Sequence, residues 1–236
     1  MIRTVAETGS TNADLIARVG AGERVPEGDW LIADRQTAGR GRQGRIWFDG
    51  HGNFMGSTVV HPAAGDPPAH TLALVTGLAV YEAVQPLCPN PAALMLKWPN
   101  DVLLGGAKLC GILLERAGQA VVVGIGVNLA AAPDLPDRKT VALASFGPAP
   151  DRDAFAAALA ASLDRELDRW RSFGLAPIIR RWLAVGTPEG TALSVHEPDG
   201  SVVQGHFAGL DGEGTLRLRL EDGAVRVIHA GDVMLV

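Results

Sequence analysis

Nine residues, Gly39-Arg40-Gly41-Arg42-Gln43-Gly44-Arg45-Ile46-Trp47, concentrate three kinds of chemistry. Glycine lets a backbone approach a ligand closely and offers N–H donors. Arginine presents a fixed fork of donors to phosphate or carboxylate oxygens. Tryptophan offers a flat face to a base. Such a loop suits an anionic ligand that carries a ring, such as a nucleotide; the plain alternative is a solvated basic loop. Further along, Lys97-Trp98-Pro99-Asn100-Asp101 places a lysine at the end of an apolar run. A charge there needs a partner or a route to solvent. Gly111, Gly124 and Gly126 leave two apolar strands bare on one face, where a ligand or another backbone can approach. Asn128 closes the second of these strands, as a hydrogen-bonding group or as a turn former.

The glycine spacing matches G-x-G-x-x-G, but the segment Ile46–Gly52 that follows cannot be a helix. A dinucleotide-binding turn needs that helix, and arginines at its x positions would crowd a pyrophosphate. There is no G-x-x-x-x-G-K-[ST] either. The net charge of -5 makes the basic loop a local feature and disfavours general nucleic-acid binding. Cys88 and Cys110 form neither a metal spacing nor a disulfide framework, which fits a reducing cytoplasm. The histidines are scattered, so no zinc site and no other metal site is assigned. No signal peptide is expected, and no apolar run reaches the ~18 residues a membrane span needs.

The elements that must position these residues follow from periodicity. A strand over Ile2–Thr8 leads to Ser10-Thr11-Asn12, where Ser10 or Thr11 caps a helix that Gly20 stops. At a helix N-terminus the trio can also donate and accept toward a ligand. Strands are expected at Trp30–Asp34 and Phe54–Val60, and a buried helix over Ala69–Val84. Two short strands flank Lys97–Asp101, and Gly105-Gly106 turns a hairpin into Lys108–Glu115 and then Ala120–Leu129. Asp151 caps a long amphipathic helix to about Phe173, with Arg165, Glu166, Asp168 and Arg169 on its solvated side. A second helix covers Leu175–Val185. After Gly186 the texture changes to short alternating runs, Ala192–His196, Val202–Leu210, Thr215–Leu220 and Val225–His229, divided by Asp-Gly turns. This spacing predicts a small antiparallel barrel.

Taken together, Ser10-Thr11-Asn12, Gly39–Trp47, Lys97–Asp101, Lys108–Glu115 and Gly124–Leu129 resemble the biotin–protein ligase family in order and spacing. The resemblance covers nearly the whole chain. It implies an α+β fold: a class II aminoacyl-tRNA synthetase-like catalytic domain over 1–186, with a mixed or antiparallel sheet flanked by helices, and an SH3-like β-barrel over 187–236. It implies a short form with no N-terminal DNA-binding domain, hence no DNA partner. It also implies a cytoplasmic enzyme that uses biotin and MgATP to make biotinyl-5′-AMP, then biotinylates a lysine of a biotin carboxyl carrier protein. The oligomeric state stays open, a homodimer included.

The residues carried over are Lys97 and Arg42 as catalytic cations. Ser10, Thr11, Asn12, Gln36, Arg40, Gly41, Arg42, Lys97 and Gly111 surround biotin. Arg40, Arg42, Arg45, Trp47, Asn100, Lys108 and Asn128 surround ATP or the adenylate. Gln43 stands where the family often has a basic residue, and Cys110 where alanine is common. Two other readings stand beside this one: a lipoate or octanoyl ligase or transferase on the related fold, and a non-enzymatic biotin sensor.

Overall fold

The computed structural model describes residues 1–236. Its larger layer is a seven-stranded mixed sheet in the order β1-β2-β3-β7-β6-β5-β4. The strands are β1 (Ile2–Thr8), β2 (Trp30–Gln36), β3 (Phe54–Val60), β4 (Leu94–Lys97), β5 (Asp101–Leu104), β6 (Ala107–Ala117) and β7 (Ala120–Val127). Only β1 and β2 run parallel; every other pair is antiparallel. β3 and β7 are buried along their whole length. That double burial explains why β7 reads as a continuous apolar run instead of an alternating one.

Helix α1 (Thr11–Gly20) lies on one face, where Leu15 packs with Leu31, Val59 and Val122. Helices α2 (Leu72–Val84), α3 (Arg152–Phe173) and α4 (Leu175–Val185) cover the opposite side. Side chains alternate along a strand. On β7, therefore, Val122, Gly124 and Gly126 all face α1, and α1 covers only the first of them with apolar side chains. The bare stretch beyond the helix N-terminus is the floor of the site. No helix is long and apolar enough to cross a membrane.

The second layer is a five-stranded antiparallel sheet, β11-β10-β9-β8-β12. Its strands are β8 (Ala192–His196), β9 (Val202–Leu210), β10 (Leu216–Arg219), β11 (Val225–Ile228) and β12 (Asp232–Leu235). Although the sequence texture breaks at Gly186, the interior does not. Leu193, Phe207, Leu216 and Val233 belong to the same apolar cluster as Leu78 and Trp182. The join is stitched by Thr187 N–H donating to Leu96 O at 2.9 Å, and by the Trp98 indole N–H donating to Gly214 O at 3.1 Å.

Three expectations need correction. β2 runs on to Gln36, because Glu7 and Thr8 of β1 pair with Arg35 and Gln36. β12 had no separate signal: four residues at the chain end leave too little alternation to read. Glu166 is not on the solvated side of α3; it is fully buried. Arg169 one turn on and Arg181 of α4 both donate to its carboxylate, so tertiary packing turned a polar position inward.

Candidate active site

Asp151 and Ser10 show how local chemistry places the helices. Each side chain caps its helix, Asp151 accepting from Ala154 N–H at 2.7 Å and Ser10 from Ala13 N–H at 3.4 Å. The Ser10 cap brings the first residues of α1 to the bare end of β7. There a cavity of about 490 Å³ opens. Its walls come from the α1 N-terminus, the 39–47 loop, β6, β7, the 133–140 segment and Asp232.

One group of wall residues is neutral and polar. Gln36 Oε1 accepts from Thr11 N–H at 2.8 Å and from the Thr11 hydroxyl at 3.1 Å. Thr11 Oγ1 and Ser57 Oγ lie 2.6 Å apart, and the Ser57 hydroxyl donates to Asn12 Oδ1 at 2.6 Å. Asn12 Nδ2 donates to Glu115 Oε2 at 2.8 Å. Asn12 rests on Gly124, where any side chain would run into its amide. These buried groups hold one another, so their remaining donors and acceptors point in fixed directions.

A second group is charged. Asp101, at 7% exposure, takes Lys108 Nζ at 2.6 Å and Lys97 Nζ at 3.1 Å. Burial alone would push the Asp101 carboxyl up; Lys108 and then Lys97 outweigh it and hold the group below the usual carboxylate range. Arg42 donates to Asn100 Oδ1 at 3.1 Å, and Asn100 Nδ2 donates to Ile112 O at 2.6 Å. Burial lowers the Arg42 guanidinium from its ordinary value. Between the two groups sits Trp47. A methyl at Gly126 would overlap its indole, and one at Gly111 would stand 2.8 Å from it. Lys108 Nζ lies 5.8 Å from the Trp47 ring centroid. Asn128 Nδ2 donates to Val141 O at 3.2 Å, which ties β7 to the wall segment that follows it.

The structure brings Ser10, Thr11, Asn12, Gln36, Arg40, Gly41, Arg42, Arg45, Trp47, Asn100, Lys108, Gly111 and Asn128 to one cavity. It does not bring Lys97 to the wall. That lysine stands behind Asp101 and donates to Val233 O at 2.8 Å. Lys97 and Asp101 are cross-strand partners on one face of β4 and β5; the Lys97 ammonium is drawn to Val233 O and one side of the Asp101 carboxylate, and Lys108 takes the other side, toward the cavity. Sequence reasoning missed Ser57, Glu115, Arg138 and Asp232. Ser57 sits opposite Gly124 in the β3–β7 ladder, a signal legible only once the strands are paired.

Residues 21–129 match the Biotin/lipoate A/B protein ligase family, and residues 194–236 the Biotin protein ligase C terminal domain. A biotin–[acetyl-CoA-carboxylase] ligase of Paracoccus denitrificans is 39% identical over 97% of this chain and 98% of its own length. One of Mycobacterium tuberculosis is 40% identical over 98% of this chain and 87% of its own. The chain therefore belongs to the biotin protein ligases of the biotin/lipoate ligase family. The structure of the Aquifex aeolicus biotin protein ligase in complex with biotin and ATP superposes with a TM-score of 0.86 at 26% identity, covering 100% of this chain and 98% of that one.

Proposed function

We propose that this protein joins biotin to a lysine of a biotin carboxyl carrier protein in two steps on the one cavity. First a biotin carboxylate oxygen attacks the α-phosphorus of MgATP. The bond to the β-phosphate breaks, giving biotinyl-5′-AMP and pyrophosphate. Then the neutral amine of a carrier lysine attacks the acyl carbon. The C–O bond breaks, AMP leaves and the amine proton is lost.

The observation that carries this reading is the single cavity with a neutral polar group and a cationic group on either side of Trp47. A ureido ring needs paired donors and acceptors, which Ser10, Thr11, Asn12 and Gln36 can supply, with Arg40, Gly41 and Gly111 beside them. A mismatch there is costly when buried. Lys108 and Arg42 bring two anions together and stabilise the pentavalent charge. Arg40 and Arg45 hold phosphates, Trp47 stacks on adenine, and Asn100 and Asn128 contact the adenylate. Lys97 acts through Asp101, at one remove from the ligand. The dithiolane ring of lipoate offers no such polar partners, which favours biotin over the lipoate reading.

Magnesium enters with ATP as part of the substrate. The wall carboxylates Asp101, Asp137 and Asp232 are each paired with a cation, which leaves phosphate oxygens and water as the metal's ligands. The catalytic unit is taken as 1–186 and the C-terminal unit as 187–236. Cys88 and Cys110 are free and buried, which suits a reducing compartment such as the cytoplasm. The test is to incubate the protein with ATP, biotin and an apo-carrier and weigh the carrier. A gain of one biotinyl group is expected. Modification with lipoate and none with biotin would overturn the reading.

A further inference from the structure

Gly231 and the first two residues of β12 hold three cations at or beside the cavity wall. Gly231 O accepts from Arg42 Nη2 at 3.3 Å, the Asp232 carboxylate pairs with Arg45, and Val233 O accepts from Lys97 at 2.8 Å. The tripeptide is fixed from its other side. Asp232 and Val233 pair with His196 and Val195 of β8, and a methyl at Gly231 would stand 2.8 Å from the Val195 side chain. The 39–47 loop, by contrast, makes few anchors of its own, chiefly Gly41 N–H to Arg45 O at 2.7 Å and Trp47 N–H to Gly39 O at 3.0 Å. Its glycines leave it conformational freedom that something outside must remove.

We infer that Asp232 is a positioning residue that keeps the 39–47 loop closed over the activated intermediate through Arg45, so that the C-terminal sheet governs how long that intermediate is retained. This rests on the function proposed above. The Arg45–Asp232 pair is part-exposed, at 42% and 21%. Such a pair weakens with salt and contributes modestly, so the expected effect is on retention and not on folding.

The experiment compares wild type, Asp232→Asn and Asp232→Glu. It measures biotin-dependent ATP–pyrophosphate exchange, the rate at which preformed biotinyl-5′-AMP escapes, and labelling of lysines on a bystander protein. Asp232→Asn should release adenylate about fivefold faster, a larger change than in its exchange rate, and label the bystander. Asp232→Glu should restore retention. Escape from wild type should quicken as salt rises, and escape from Asp232→Asn should not. An Asn variant that releases adenylate at the wild-type rate overturns the inference, as does a Glu variant as leaky as Asn. Salt-independent escape from wild type overturns it even if the Asn variant does not fold. If wild type shows exchange with biotin, such a failure falls on the role of Asp232 alone. If wild type shows none, the functional reading falls and takes this inference with it.

Discussion

Trp47 occupies the space that a side chain at Gly126 would need. The indole arrives from a loop and the glycine from the central strand β7, nearly eighty positions later in the chain. Its Nε1 is buried and has no hydrogen-bond partner. A buried donor without a partner is costly, so the indole is held there by its packing on the glycine floor and not by a hydrogen bond.

Gly126→Ala should lift Trp47 from the floor while β7 stays paired. Overpacking of this kind costs about 1–3 kcal/mol, and the loop, being the softer partner, yields first. Binding of biotin and ATP should fall by about tenfold or more. Tryptophan emission should shift to the red, because the other four tryptophans are buried and only Trp47 can gain water. Unchanged emission with unchanged affinity would show that the indole does not rest there in solution.

Lys108 and Lys97 should separate kinetically. Lys108 lines the cavity and Lys97 stands behind Asp101. Lys108→Ala should lower the rate of adenylate formation by about 10²-fold, the order expected for a group that meets developing charge. Lys97→Ala should cost about tenfold, by releasing Asp101 and the Val233 carbonyl. Single-turnover pyrophosphate release measures both. A larger loss from Lys97 than from Lys108 would return Lys97 to the role its motif suggested.

Acid should act through Asp101. Its folded-state titration lies below the ordinary carboxylate range, so its contribution to stability is complete above about pH 4. That contribution fades as pH falls through the lowered folded value. Urea unfolding across a pH series should show wild type more stable than Asp101→Asn at neutral pH. The gap should close toward the acid end. A gap independent of pH would mean that Asp101 stabilises by shape and not by charge.

Glu166 should matter for folding and not for chemistry. Replacing it with Ala leaves a void under α3 and removes one of the two carboxylates that hold Arg169 and Arg181, which keep Glu82 and part of their solvent; the cost should be about 1–2 kcal/mol. Chemical denaturation should report that loss, and adenylation at a permissive temperature should stay near wild type. A change under about 0.5 kcal/mol would place Glu166 among ordinary surface residues.

Much of the site was legible because its chemistry is local. The loop from Gly39 to Trp47 announces a cationic, glycine-rich wall through residue type alone, and Ser10 announces a cap through its place before an apolar helical pattern. The glycines of β6 and β7 announce a bare face because only glycine, repeated at a period of two, keeps one side of a strand clear. Where the reading went astray, the deciding contact was distant in sequence. Glu166 turned inward to meet Arg181 of another helix. Lys97 stands beside the cavity wall because Val233 O, 136 positions later in the chain, takes its ammonium together with Asp101.

By itself, then, the sequence determined the elements, the polar helix start, the cationic loop and the glycine floor, since each depends on short-range periodicity, capping or backbone freedom. Only the tertiary structure decided which lysine meets the cavity and that Ser57 completes the polar group. It also decided that Gly231, Asp232 and Val233 reach across from the second sheet to Lys97 of the first and to Arg42 and Arg45 of the 39–47 loop. Those outcomes depend on strand register and on the packing of one sheet against another, and neither is encoded in any single stretch of the chain.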